Sequence, residues 1–386
     1  MRILIAPLDW GLGHATRCIP LIRALEKAGH TVIPCAGGAG LRLLRAEFPH
    51  LTVEPLPGHA MRYTKTRALL PLWLFAQLPL FLLGIRRDGI EARRLVRKYD
   101  ASLVIADGRY GFRAPDSSGI PTVFLSHQIE ILPPGPAWLR PLIAPLLRLL
   151  NRRALRKFTE VWVPDFAGPE NLSGVLGHPA HAEELDLHYL GPLCRFDGIP
   201  SASVMPVIPD YLALVSGPEP QRSVFEQQLR VALNDLPGTK VLVCGVPSPS
   251  GNAGEVSVVP PGELTVIDHL PGEVLSGLLR DARNVVCRSG YTTVMELAGL
   301  RKRNVLLVPT PGQPEQEYLA AHAAFCGFAA WQDQDRLDLV EGFREAAALP
   351  GFGFWAVPQV SSDPANIDPS SLDAWVAAHP LLADRA

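Results

Sequence analysis

The chain has no C-x-x-C pair, no repeating glycine period and no apolar run long and pure enough to cross a bilayer, and only 19% of its 386 residues are charged. Cys18, Cys35, Cys194, Cys244, Cys287 and Cys326 are scattered singly, so a cysteine zinc site, a redox dithiol and a disulfide framework are all excluded. Reduced thiols fit a cytoplasmic protein. The apolar stretch between Arg2 and Asp9 is too short for a signal-peptide core, so no export is expected. Zinc-finger, RNP and basic-zipper signatures are missing, and basic charge is not spread along the chain, so nucleic acid is not the expected partner. With 47% hydrophobic residues, disorder is excluded for most of the chain; 38 Pro and 33 Gly without a period exclude collagen and mark many short, punctuated elements.

What the chain does have is length for two domains, at roughly 150 residues each, and a charge asymmetry between them. Residues 1–195 hold 24 Lys and Arg against 16 Asp and Glu, a surplus of eight positive charges; residues 196–386 hold 12 against 22, a surplus of ten negative ones. Short β-branched runs alternate with helix-length segments at Arg2 to Pro7, Thr31 to Ala36, Ser102 to Asp107, Thr122 to Ser126 and Glu160 to Pro164. After the Pro-interrupted stretch Ile199 to Pro209 a second series runs through Tyr211 to Ser216, Lys240 to Gly245, Leu264 to Ile267, Val285 to Cys287 and Val305 to Pro309. Such alternation predicts an α/β fold with two Rossmann-like domains, 1–198 and 199–386, facing a central cleft.

Each half opens with a strand, a glycine loop and a helix. Asp9-Trp10-Gly11-Leu12-Gly13-His14 follows the first strand, where glycines allow a sharp turn and helix-start amides attract anions. The dinucleotide fingerprint is not met, because Thr16 stands at its third glycine and no acidic residue ends the second strand. His14 at a strand's C-terminal end is placed to take a proton or bind a polar substrate; the alternative is a plain helix-start histidine. In the second half, Arg288-Ser289-Gly290-Tyr291-Thr292-Thr293-Val294-Met295-Glu296 is a glycine loop opening a helix, whose first-turn amides suit a pyrophosphate. Glu296, one turn beyond Thr292, either accepts hydrogen bonds from ribose hydroxyls or serves only the helix dipole. Gln313 to Tyr318 is a further loop-to-helix start, able to bind sugar hydroxyls or to be an ordinary acidic first turn.

These residues resemble the GT-B glycosyltransferases of family 28, in particular the MurG-like UDP-sugar transferases. Arg288-Ser289-Gly290 with Thr293 and Glu296 is similar to the donor motif R-S-G-x-x-T-x-x-E, Gln316-Glu317 stands where that family has Q-Q, and Gly11-Leu12-Gly13-His14 resembles its amino-terminal glycine loop. The resemblance implies an inverting, metal-independent transfer from a UDP-sugar, with UDP-sugar as co-substrate and no further cofactor. Its donor site would comprise Arg195, Ser216, Gly217, Ile267, Ser289, Gly290, Tyr291, Thr292, Thr293, Glu296, Gln316 and Glu317. Gly11, Gly13, His127 and Gln128 would lie on the acceptor side, with His14 or Asp9 as the base. Glu317 in place of the second glutamine leaves the sugar open between a hexose and an N-acetylhexosamine. Asp333-Gln334-Asp335 has the spacing of a metal-binding D-x-D but reads as a solvated loop.

Leu69 to Leu83 is apolar yet holds Gln77, Pro71 and Pro79, and it is shorter than the roughly 20 residues of a spanning helix. Trp138 to Phe158 mixes Leu and Ile with Arg140, Arg148, Arg152, Arg153, Arg156 and Lys157, the composition of a basic helix on an anionic membrane surface. The alternative for both is a buried helix with a charged edge. Peripheral attachment to the inner face of the cell membrane and a lipid-linked or membrane-proximal acceptor follow from the first reading. Two other functions stay open: a nucleotide-sugar hydrolase in which His14 activates water, and a non-catalytic nucleotide-sugar-binding protein.

Overall fold

Ile3-Leu4-Ile5-Ala6 and Leu103-Val104-Ile105-Ala106 are apolar at every position, which suits strands covered by helices on both faces. They form the middle of a parallel sheet in the computed structural model, which describes residues 1–58, 76–133, 135, 138–180, 183–199, 208–245, 262–354 and 371–383. In chain order the first series is β1 (Arg2–Pro7), α1 (Gly13–Lys27), β2 (Thr31–Ala36), α2 (Gly38–Glu47), β3 (Glu54–Pro55), α3 (Leu78–Tyr99), β4 (Leu103–Asp107), β5 (Thr122–Leu125), α4 (Arg140–Leu155), β6 (Glu160–Val163) and β7 (Leu187–Tyr189). The second is β8 (Tyr211–Leu214), α5 (Gln221–Asn234), β9 (Lys240–Val243), β10 (Leu264–Ile267), α6 (Gly272–Asp281), β11 (Asn284–Cys287), α7 (Tyr291–Gly299), β12 (Val305–Leu307), α8 (Pro314–Phe325), β13 (Ala330–Trp331) and α9 (Leu339–Ala347), and α10 (Leu372–Ala378) is the last helix among the described residues.

The strands pair in parallel in the orders β3-β2-β1-β4-β5-β6-β7 and β10-β9-β8-β11-β12-β13. The two α/β Rossmann-like domains expected from the sequence are therefore present. Each has its own core: Leu4, Leu95, Val104, Phe112 and Phe124 in the first, Phe225, Leu229, Leu242, Val286 and Leu306 in the second. β3, β7 and β13 were not expected; they have only two or three residues each, too few for a period-two pattern to register.

The domain boundary needs one correction. The units separate between Arg195 and Phe196, and α10 belongs to the first unit rather than to the 199–386 domain. It packs on α1, with Lys27 Nζ 2.5 Å from the Asp373 carboxylate, and sets Trp375 edge-on against Trp162 of β6 at 4.8 Å. Most of the expected linker, residues 200–207, lies outside the described residues.

The apolar stretches also meet a clear outcome. Residues 69–75 lie outside the described residues, but Leu78, Leu80, Leu82 and Leu83 at the start of α3 are exposed, and so are Trp138, Leu142, Leu146, Leu149 and Leu150 on and before α4. These side chains are not core. No helix among the described residues is long and apolar enough to cross a membrane.

Candidate active site

Strand order reverses direction beside β1 in the first sheet, because the chain runs outward to β3 and then returns to place β4 on β1's other side. The C-terminal ends flanking such a switch point are where open α/β sheets bind ligands. β1 ends at Pro7 and leads to His14 in the first turn of α1; β4 ends at Asp107. His14 Nδ1 lies 3.2 Å from both carboxylate oxygens of Asp107. Gly108 makes this approach possible, since it holds φ at +70° and a Cβ there would come within 3.1 Å of His14 Cε1.

Asp107 is fully buried and serves three partners. Arg17, one turn after His14 on α1, donates through Nε at 3.0 Å and through Nη2 to Asp107, and its Nη1 donates to His127 Nδ1 at 3.0 Å. The Cys18 thiol reaches Asp107 Oδ2 at 3.6 Å. Burial opposes the charge on Asp107, but the nearby Arg17 and then His14 outweigh it and hold the carboxyl down at about 2. Arg17 Nη2 also lies 2.9 Å from His14 Nδ1. Nδ1 can serve only one of its neighbours: accepting from Arg17 puts the proton on Nε2, whereas donating to Asp107 leaves the Nε2 lone pair outward. Only the second tautomer is a base.

A pH prediction follows from Asp107. Its folded value is depressed from an ordinary one near 3.8, so its contribution is complete above about pH 4 and is lost as pH falls through 2. The difference in unfolding free energy between wild type and Asp107→Asn is expected to shrink by about 2 kcal/mol between pH 6 and pH 2. Urea titrations at the two pH values check it, and a constant difference would contradict it.

Asp9 is placed differently. Its carboxylate faces Arg109 Nη2 at 3.1 Å, and Arg109 is itself held by Asp88 at 2.7 Å and by the Pro7 carbonyl at 2.8 Å. The Asp9 carboxylate is thus engaged in an ion pair with a buried guanidinium. Gly11 adopts φ of +95° in the loop and Gly13 opens α1. His127 is buried against Arg17, and the Gln128 amide donates to Ser126 Oγ. Arg195 ends the first unit, where its carbonyl accepts from Arg23.

In the second sheet the switch point lies beside β8, with β11 on its other side. Ser216 and Gly217 follow β8, the latter at φ +104°, and Arg288 to Gly290 follow β11. Gly290 caps α7 in an extended conformation, Tyr291 is buried, Thr292 and Thr293 are half-buried, and Glu296 is buried one turn in. Ser289 Oγ donates to the Gln316 carbonyl at 2.8 Å, which ties the α7 loop to the α8 loop. Ile267 ends β10, two strands away from β8.

Arg288 takes a structural post. It lies over the Phe225 ring at 3.9 Å and donates to the Val308 and Pro309 carbonyls and to Gln334 Oε1; burial pushes its guanidinium down to about 9. Gln334 is consequently buried between exposed Asp333 and Asp335, so the D-x-D segment is only in part the solvated loop expected. Gln316 Oε1 accepts from the Thr310 amide and Glu317 Oε1 from the Gly312 amide, so each side chain braces the loop before α8.

Three residues escaped the sequence reading: Asp107, Arg17 and Thr310. An acidic residue closing an otherwise apolar parallel strand was a signal for Asp107, and Arg17 sits at i+3 from His14. Thr310 is buried with its hydroxyl lacking a hydrogen-bond partner among the described residues, 3.9 Å from where a Cβ on Gly217 would lie. A ligand oxygen at the Gly217 loop would satisfy it.

No protein-family model matches the chain. A Methanosarcina acetivorans protein described as an uncharacterized glycosyltransferase is 25% identical over 336 residues, covering 83% of this chain and 83% of its own length. The solved glycotransferase of kitacinnamycin has a TM-score of 0.57 at 18% identity, covering 91% of this chain and 96% of that one. A spinosyn rhamnosyltransferase complexed with thymidine diphosphate has a TM-score of 0.52 at 16% identity, covering 92% and 98%. Two parallel α/β domains of this topology, matched along nine-tenths of the chain by solved glycosyltransferases, are a GT-B fold.

Proposed function

We propose that the chain is an inverting, metal-independent glycosyltransferase that moves a hexose or N-acetylhexosamine from a UDP-sugar to the hydroxyl of a lipid-linked or membrane-proximal acceptor. The observation that carries this reading is the His14–Asp107 pair, with Nδ1 3.2 Å from the carboxylate at the switch point of the first sheet. His14 Nε2 takes the acceptor hydroxyl proton, and Asp107 holds the imidazole in the base tautomer and stabilises its charged form. The acceptor oxygen bonds to the anomeric carbon as the bond to the diphosphate oxygen breaks, and UDP leaves with that electron pair. A single displacement of this kind inverts the anomeric centre. First-turn amides of α7 and its dipole suit the diphosphate of a nucleotide-sugar.

Thermal stabilisation by a panel of UDP- and TDP-sugars, followed by nucleotide release with and without lipid-linked acceptor, tests the reading. TDP enters the panel because a spinosyn rhamnosyltransferase of similar fold was solved with thymidine diphosphate. Acceptor-dependent release of nucleotide is expected; release of nucleotide and free sugar into water without acceptor would make the chain a hydrolase.

Support for the membrane side comes from the exposed leucines of α3 and α4 together with exposed Arg148, Arg153 and Arg156. Exposed charge attraction is screened over roughly 10 Å at 0.1 M salt, so binding to anionic vesicles is expected to fall with salt and leave a salt-resistant apolar remainder. Equal recovery in the supernatant with neutral and anionic vesicles at low salt would remove the docking surface from the proposal.

A further inference from the structure

Glu160 opens β6, and Trp162 and His188 are register partners on β6 and the edge strand β7. Side chains alternate along a strand, so Glu160, Trp162 and His188 share one face of the sheet. α10 covers that face, and its C-cap residue His379 stacks on Trp375 at 4.3 Å and meets the Trp162 ring at 5.2 Å. The chain ends of three distant segments thus converge at one point.

We propose that Glu160, His188 and His379 form a binding site for a zinc-class divalent cation that ties the C-terminal helix to the edge of the first sheet. One donor atom from each residue lies within 4.8 Å of the other two. Glu160 Oε2 is 3.3 Å from His379 Nε2, and Glu160 Oε1 is 3.9 Å from His188 Nε2. Donors at about 2.0–2.2 Å from a tetrahedral zinc stand roughly 3.3 Å apart, so the set closes on a cation with small side-chain movements.

A second observation is independent of this spacing. His379 Nε2 is buried and makes no hydrogen bond among the described residues, although Glu160 stands beside it, and the residue as a whole is only 5% exposed. A buried nitrogen left this way is costly, and a cation between it and the carboxylate satisfies both. Trp162 Nε1 donates to Glu160 Oε2 at 2.7 Å, the kind of outer hydrogen bond that orients a carboxylate ligand. Asp186, exposed and 3.0 Å from His188 Nε2, or a water molecule completes four-coordination from the solvent side. Two imidazoles and a carboxylate, without thiolates, select zinc over calcium or magnesium.

The site lies on the same face as Asp107 but two to three strands across the sheet, about 10 to 14 Å at ordinary strand spacing, so it takes no part in the proposed transfer.

Chelator-treated, untagged protein should bind one equivalent of Co²⁺, with the visible spectrum of four-coordinate nitrogen and oxygen ligation, and Zn²⁺ should displace it. Zn²⁺ should also slow hydrogen exchange in residues 372–378. His188→Gln and His379→Gln should each weaken Zn²⁺ binding at least a hundredfold. If His379→Gln does not fold, His188→Gln decides, because His188 is half-buried on an edge strand. No stoichiometric binding at micromolar metal, a thiolate charge-transfer band, or unchanged affinity in the His188→Gln protein would overturn the site.

Discussion

His14→Ala is expected to lower turnover by about a hundredfold or more while leaving nucleotide affinity nearly unchanged. Positioned general bases contribute on the order of 10² to 10⁴ in rate, and the residues proposed for the nucleotide, Arg195 apart, belong to the second unit. Asp107→Asn should act in the same direction, because the amide loses the carboxylate's charge and can turn its NH2 donor toward Nδ1, so the proton is no longer held there. Arg17 would then be left as the stronger partner of Nδ1 and favour the tautomer with its proton on Nε2. The two variants together are informative: if they act as one unit, the double variant loses little more than either single. Steady-state rates with saturating donor, set beside calorimetric nucleotide affinities, decide the question. Full activity in His14→Ala would return His14 to a helix-start role and make Asp9, despite its pairing with Arg109, the residue to test next.

Glu296→Ala should weaken UDP and UDP-sugar binding by about 1.5 to 3 kcal/mol, roughly ten- to a hundredfold, through loss of a charged acceptor for ribose hydroxyls. The buried position of Glu296 within the first two turns of α7 fits that role, and its charge is felt inside the domain: burial first, and Glu296 next, push the Cys287 thiol up to about 12. Because Ala leaves a gap, Glu296→Gln is the companion variant that keeps the shape. Titration calorimetry with UDP and with TDP, on proteins shown to unfold cooperatively, reads the effect. Unchanged affinity for both nucleotides in both variants would sink the donor-site assignment.

The strands that carry the two sites were legible in the sequence because parallel strands buried on both faces are short, continuous apolar runs bounded by glycine or proline. β1, β2 and β10 have the bounds that these runs predict, and β4, β5, β6, β8, β9, β11 and β12 differ by one or two residues at an end. The glycine loops before α1 and α7 were legible for the same reason: backbone turning is a local demand, met by residues next to one another. The resemblance that rests on Arg288-Ser289-Gly290 pointed to the right fold, yet Arg288 itself packs on Phe225 and holds the Val308 and Pro309 carbonyls, which no short motif reveals.

What the sequence by itself determined is thus the two βα series, the helix-start loops and the charge division between the halves, all of which depend on neighbours a few positions apart. Tertiary structure decided the rest. His14 meets Asp107 across 93 positions of sequence, and Arg17 meets His127 across 110; only the parallel pairing of β1 with β4 and of β4 with β5 brings them together. The same holds for α10, which the chain order assigns to the second domain and which Trp375, Val376 and Asp373 attach to the first. It also decided that the leucines of α3 and α4 stand in solvent, since an apolar stripe reads alike whether a core or a membrane surface is its partner. Periodicity records which face of an element is apolar; which element or surface meets that face is set by packing over distances that local sequence does not span.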